Sequence, residues 1–118
     1  MGGTVSSEVE QFLELDDSEL LMEIARLSDP RAPLANPQRL IAAGRAVVAA
    51  QLDRIRGAVC PRKELVDAPE FTLATVILGI LVDHLTLGLA SAVAAYTAKR
   101  GVLWLCADEQ QNEGAAVQ

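Results

Sequence analysis

The fold is decided by residues 71–106, which read FTLATVILGILVDHLTLGLASAVAAYTAKRGVLWLC. Between residues 71 and 98 the only charged side chain is Asp83, with His84 beside it. The uncharged runs on either side, residues 71–82 and 85–98, are each shorter than the ~20 apolar residues of a membrane-spanning helix. They are typical of buried core helices, so this stretch is predicted to form the centre of a helical domain.

The first of these runs is apolar almost all round, which predicts a central buried helix over residues 71–84. We expect a break after it, because a single helix of about thirty residues would far exceed the usual globular length of ~11–12. A weak stripe of small or mildly polar residues along this apolar stretch would let the backbone of another helix approach. The stripe comprises Thr72, Thr75, Gly79, Asp83 and Thr86. In the next helix, Gly88 begins a second face of small side chains.

Three helices are predicted upstream. A short one lies near residues 7–14, and Asp16 three residues ahead of Glu19 predicts a capped helix over residues 17–27. Prolines then interrupt the chain over residues 29–37. Asn36 followed by Pro37 predicts the start of a third helix that runs to about residue 59, with Gly44 permitting a close helix crossing.

Downstream, Gly101 is predicted to cap the last helix. The apolar residues 102–106 are compatible with a short strand, a last helical turn or a docked tail, and residues 108–118 are expected to form a flexible tail. The predicted fold is therefore an all-α bundle of four to five helices with a short apolar C-terminal segment. It forms a single domain over residues 1–107.

Composition excludes several classes of protein. The chain has 118 residues, 51% of them hydrophobic and 22% charged, which rules out a multidomain machine. Its net charge of −6 argues against a nucleic-acid partner. Aromatic residues make up 3% of the chain, too few for a platform that stacks bases.

Two cysteines, Cys60 and Cys106, are too few for a structural zinc site. Reduced, buried thiols in a cytoplasm are the expected state, with a single disulfide as the alternative. No basic segment followed by an apolar run stands near residue 1, so we do not expect a secreted protein. Gly2 with Ser6 fits the myristoylation pattern. Heavy use of Ala, Arg and Val is more typical of bacteria, where that pattern has no meaning.

Catalysis finds little support in the sequence. Asp83 and His84 are the one catalytic-looking pair, but adjacent residues on a helix point about 100° apart and cannot form a dyad. The acidic residues near the N-terminus lack the spacing of a calcium loop. We therefore expect no enzymatic activity, no cofactor and no metal site.

Charge is arranged in three blocks. Residues 1–29 carry eight acids and one base, residues 30–63 one acid and seven bases, and residues 64–118 seven acids and two bases. Such blocks can neutralise one another within a monomer or dock between copies.

Trp104 is expected either to pack into the bundle as a plug or to anchor a partner.

These patterns favour a non-enzymatic protein–protein interaction module, a small accessory or adaptor subunit that associates with itself or with a protein partner. The residues predicted to bind the partner are Trp104, Arg39, Arg45, Gly79 and Gly88. The alternative is a membrane-associated helical hairpin that inserts residues 71–98, as a small pore-forming or toxin-like component. A small enzyme is a distant third.

Overall fold

The structure is a computed structural model that describes residues 2–29, 31 and 36–106. Five α-helices follow one another: α1 (Gly2–Leu13), α2 (Asp17–Ser28), α3 (Pro37–Val59), α4 (Glu70–Leu81) and α5 (Leu87–Arg100). A short 3-10 helix, Lys63–Asp67, precedes α4, and residues 102–106 form one more helical turn after α5. The predicted all-α bundle is therefore confirmed. The predicted tail over residues 108–118 and most of the proline-rich break lie outside the described residues.

Local signals place the helix ends. Asp16 accepts a hydrogen bond from the Glu19 amide at 2.7 Å while the Glu19 carboxylate reaches back to the Asp16 amide, which is the predicted capping box of α2. Asn36 accepts from the Arg39 amide at 2.8 Å and caps α3 as predicted. The first helix begins at Gly2, five residues earlier than predicted.

The central helix of the bundle is α5. Every residue from 89 to 98 is buried, and α5 packs against α1, α2 and α4. The prediction that residues 71–84 form the central helix is therefore wrong. Small side chains such as Ala90, Ala94 and Ala98 let three neighbours approach α5 closely, whereas the bulkier α4 buries one face and leaves the other exposed.

The packing of α2 on α3 depends on Gly44. A Cβ atom at this position would clash with the carbonyl oxygen of Leu21 and lie 2.7 Å from its carbonyl carbon. The close crossing predicted from this glycine is therefore confirmed. Leu21 and Ile24 of α2 and Val48 of α3 belong to the same aliphatic core.

The two cysteines are joined in a disulfide. Cys60 follows the end of α3, and Cys106 closes the helical turn over residues 102–106, with 5.8 Å between their Cα atoms. The expectation of two free thiols is therefore wrong. The cause is tertiary: the fold brings together two residues that are 46 positions apart in the sequence.

The chain bends back after α5 at Gly101. This residue has φ of 91°, a left-handed conformation that favours glycine, and it ends the helix as predicted. The Leu105 amide donates to the Gly101 carbonyl at 3.0 Å, so residues 102–106 adopt the helical-turn alternative and not the strand.

Residues 82–86 separate α4 from α5 in an exposed turn that contains Asp83 and His84. The predicted break between the two apolar runs is therefore present. Within the described part of the chain, no helix has both the length and the apolar character needed to cross a bilayer.

Candidate functional site

A groove lies between α3, α5 and the turn over residues 102–106, with a cavity volume of about 240 Å³. One face of α3 supplies four of its lining residues at spacings of three, one and three: Arg45, Val48, Ala49 and Leu52. Two residues one turn apart on α5, Tyr96 and Arg100, complete it together with Trp104. The helical period thus puts an apolar floor and two guanidinium groups around one cavity.

Aromatic rings form one wall of this groove. Tyr96 meets Trp104 edge to face, with ring centroids 6.4 Å apart and an interplanar angle of 89°. The guanidinium carbon of Arg100 lies 5.1 Å from the Trp104 ring centroid and 6.0 Å from that of Tyr96. Arg100 also pairs with Asp17 at 3.2 Å, which ties α5 to the start of α2.

The turn that carries Trp104 is held against α3 at two points. One is the Cys60–Cys106 disulfide, and the other is a hydrogen bond of 2.9 Å from Arg56 Nε to the Leu105 carbonyl. Trp104 is half-buried here, so it both covers the bundle and lines the groove. The two alternatives predicted for this residue, a plug and an exposed anchor, are compatible with this position.

A second surface comprises exposed residues of α4 and its C-cap residue, which we define together as the outer face of α4: Phe71, Thr72, Thr75, Gly79 and Val82. All five residues are exposed, and Phe71 and Val82 keep 36% and 43% of their surface accessible. A Cβ atom added at Gly79 would meet nothing within 4 Å. No charged residue lies between Glu70 and Asp83, so this face is an uncharged strip.

The structure brings two of the five predicted partner-binding residues together. Arg45 and Trp104 line the same groove, whereas Gly79 lies on the outer face of α4 and Arg39 is exposed near the start of α3. Gly88 faces this chain's own side chains, since a Cβ atom there would lie 3.6 Å from Glu8 Oε1 and 3.7 Å from Leu27 Cδ2. Partner binding by these residues stays a prediction.

Sequence reasoning missed Tyr96 and Arg100 as neighbours of Trp104. Their spacing of four residues on one helix, followed by Gly101, was a usable signal. A glycine that reverses the chain directly after Arg100 returns the next aromatic residue toward the same helix face. The residues that α3 contributes to the groove are brought there by tertiary packing, which the local sequence does not predict.

The charge blocks interact little in the described part of the chain. Local pairs form between Glu23 and Arg26 and between Arg62 and Glu64, and Asp17 reaches Arg100 of α5. Arg45 makes no ion pair with any described residue, although it belongs to the basic block.

No group of three or more His, Cys, Asp or Glu side chains in the described ranges is arranged to hold a metal ion. Comparison with known proteins finds no matching family model, no similar curated protein and no similar solved structure.

Proposed function

We propose that this protein is a non-enzymatic helical interaction module, a small accessory or adaptor subunit that associates with itself through the outer face of α4. The observation that carries the proposal is the exposure of this uncharged strip on a chain of net charge −6. An uncharged, exposed helix face that carries bulky apolar side chains such as Phe71 and Val82 is a candidate interaction site.

The strip has the shape that helix pairing requires. Gly79 lies in the last turn of α4, on its exposed side, with open space above it, so the backbone of a second helix can approach closely there. Phe71 and Val82, near the two ends of the helix, supply bulky apolar side chains on either side of that contact. Contact along the strip would remove these side chains from water, a favourable contribution of about 25 cal/mol for each Å² of apolar surface that the entropy cost of association partly offsets.

A second copy of the chain is the occupant that best fits this face. Between Glu70 and Asp83 the strip carries no charge that would select a partner of opposite sign. Two copies related by a two-fold axis present the same patch to each other, so each uncharged strip buries the other. The predicted contributions of Arg45 and Trp104 belong to a separate site, because both residues line the groove and neither lies on the outer face of α4.

The experiment is sedimentation velocity of the intact chain over a range of concentrations, with Gly79→Arg and Gly57→Arg as a matched pair. Both glycines are exposed and helical, and a Cβ atom at either one meets nothing within 4 Å. We expect the parent chain and Gly57→Arg to dimerise alike and Gly79→Arg to remain monomeric. A parent chain that is monomeric at high concentration, or equal dimerisation of all three, would contradict the proposal.

The compartment stays a prediction. The sequence favours a bacterial cytoplasm, whereas disulfides persist mainly in oxidising compartments. Alkylation of free thiols at the moment of cell lysis distinguishes the two: labelled cysteines support the cytoplasm, and a protected Cys60–Cys106 pair supports an oxidising location.

A further inference from the structure

The groove between α3, α5 and residues 102–106 combines two features that the proposed self-association does not use. One is a cavity of about 240 Å³ with an apolar floor, and the other is a pair of arginines among its lining residues. Small-molecule sites commonly measure about 300–1,000 Å³. The groove therefore fits a compact ligand, of the size of one amino-acid side chain with its backbone.

The floor selects for an apolar body. Val48 is buried and Leu52 half-buried beneath the cavity, with Ala49 beside them and the two aromatic rings forming the wall. A branched aliphatic or aromatic group placed here would displace water from these surfaces, which is favourable in proportion to the apolar area covered. A small ion such as inorganic phosphate would leave the floor uncovered.

The charges select for an anion. None of the seven lining residues is acidic, and two of them, Arg45 and Arg100, are permanently cationic. Arg100 donates to Asp17 through Nη1 and lies over Trp104, and a guanidinium group carries further N–H donors besides the one used in this bond. The planar guanidinium group matches the geometry of a carboxylate, which it can bind through two parallel hydrogen bonds.

From this combination we propose that the groove binds a monocarboxylate with a compact apolar body. Its carboxylate is held by Arg45 and Arg100, and its apolar part lies on Val48, Ala49 and Leu52 beside Trp104. The same chemistry is offered by a free small acid and by the carboxyl terminus of a peptide that ends in an apolar residue. The proposal is independent of self-association, since the outer face of α4 contributes no lining residue.

Trp104 makes the test direct, because it is the single tryptophan of the chain and it lines the cavity. The probes are N-acetyl-leucine, N-acetyl-leucinamide, inorganic phosphate and a short peptide that ends in leucine, each titrated against the indole emission of the intact chain. We expect a saturable change with N-acetyl-leucine. The amide should bind at least about tenfold more weakly, because it lacks the charge-assisted hydrogen bonds to the arginines.

Two variants with matched controls assign the site. Arg45→Gln removes a lining charge and should weaken binding of N-acetyl-leucine about tenfold or more, whereas Arg54→Gln on the same helix lies outside the groove and should leave it unchanged. Leu52→Ala should also weaken binding. Asp17→Asn removes the ion pair of Arg100 without changing a lining residue and should retain binding. Circular dichroism checks that each variant is folded.

The outcomes separate clearly. Equal affinity for the peptide and the free acid supports a small-molecule ligand, and tighter binding of the peptide supports a peptide carboxyl terminus. Either result supports carboxylate recognition. The proposal is overturned by the absence of a saturable change with any carboxylate, by equal binding of acid and amide, by phosphate binding as well as N-acetyl-leucine, or by equal loss in Arg45→Gln and Arg54→Gln.

Discussion

At the scale of single residues, two positions in the bundle core carry opposite consequences for stability. Gly44 is required because the backbone of α2 occupies the space that a side chain would need. Ser91 is the reverse case: its hydroxyl is completely buried in α5 and finds no hydrogen-bond partner among the described residues. A buried polar group without a partner is destabilising. For each position we can therefore predict whether substitution by alanine raises or lowers the free energy of unfolding.

Gly44→Ala should destabilise the fold by about 2 kcal/mol, because the added methyl group forces α2 and α3 apart. The strain exceeds the gain in helix propensity of about 0.5–1 kcal/mol that alanine brings. Gly57→Ala is the control, since its Cβ atom meets open space and should stabilise the same helix by that gain. Urea unfolding measures both. Equal stabilisation by the two substitutions would show that the α2–α3 crossing is not close.

Ser91→Ala should stabilise the protein by about 1 kcal/mol, since it removes an unsatisfied buried hydroxyl. The comparison is Thr97→Val on the same helix. The Thr97 hydroxyl donates to the Val93 carbonyl at 2.9 Å, so its removal should bring less stabilisation than Ser91→Ala. Thermal unfolding measures the difference. A clear loss of stability in Ser91→Ala would mean that its hydroxyl is hydrogen-bonded.

At the scale of elements, the turn over residues 102–106 links α3 and α5 and completes the groove. The disulfide between Cys60 and Cys106 closes a long segment of chain, and the Arg56 hydrogen bond holds the same turn. A cross-link over this sequence separation stabilises the fold mainly by restricting the unfolded chain. Reduction of the disulfide is therefore expected to lower the stability of the fold.

Reduction of the disulfide should lower the free energy of unfolding by about 4 kcal/mol, as expected for the 46-residue separation of its cysteines. The variant with both Cys60→Ser and Cys106→Ser should match the reduced parent chain and be insensitive to reductant. Urea unfolding with and without dithiothreitol measures this. An oxidised parent chain whose unfolding midpoint does not respond to reductant would contradict the pairing.

The elements also show how far sequence reasoning reaches. Asp16 with Glu19, Asn36 with Pro37 and Gly101 were sufficient to place helix ends, because capping is a local interaction. The central helix was misplaced because hydropathy alone favours bulky α4, whereas close packing on several sides favours the alanine-rich α5. Arg45 and Trp104 were both singled out from the sequence. Their shared groove and the disulfide depend on contacts between distant segments, which local patterns do not encode.

At the scale of the whole molecule, the protein carries a net charge of −6, and α4 exposes an uncharged face. Two copies repel each other through their net charge, and salt screens that repulsion. Contact through the outer face of α4 buries apolar surface and contains no ion pair that salt could weaken. The way in which the dissociation constant of the dimer changes with salt therefore indicates which surfaces are in contact.

Dimerisation should become a few-fold tighter as sodium chloride is raised from low to physiological concentration. Docking of the acidic N-terminal block of one copy onto the basic block of another would show the opposite trend, since it depends on attraction between charges. Sedimentation equilibrium at several salt concentrations measures the dissociation constant. A dimer that weakens steadily with salt would assign the contact to the charge blocks.

The central claim is that the outer face of α4 meets the same face of a second copy, and photo-crosslinking tests it most directly. A benzophenone amino acid is introduced at Thr75, which lies on that face, or at Arg54, an exposed position on α3. Irradiation of the intact purified chain should give covalent dimers from position 75 and monomers from position 54. Monomers from both positions, or equal yields of dimer from both, would contradict the account.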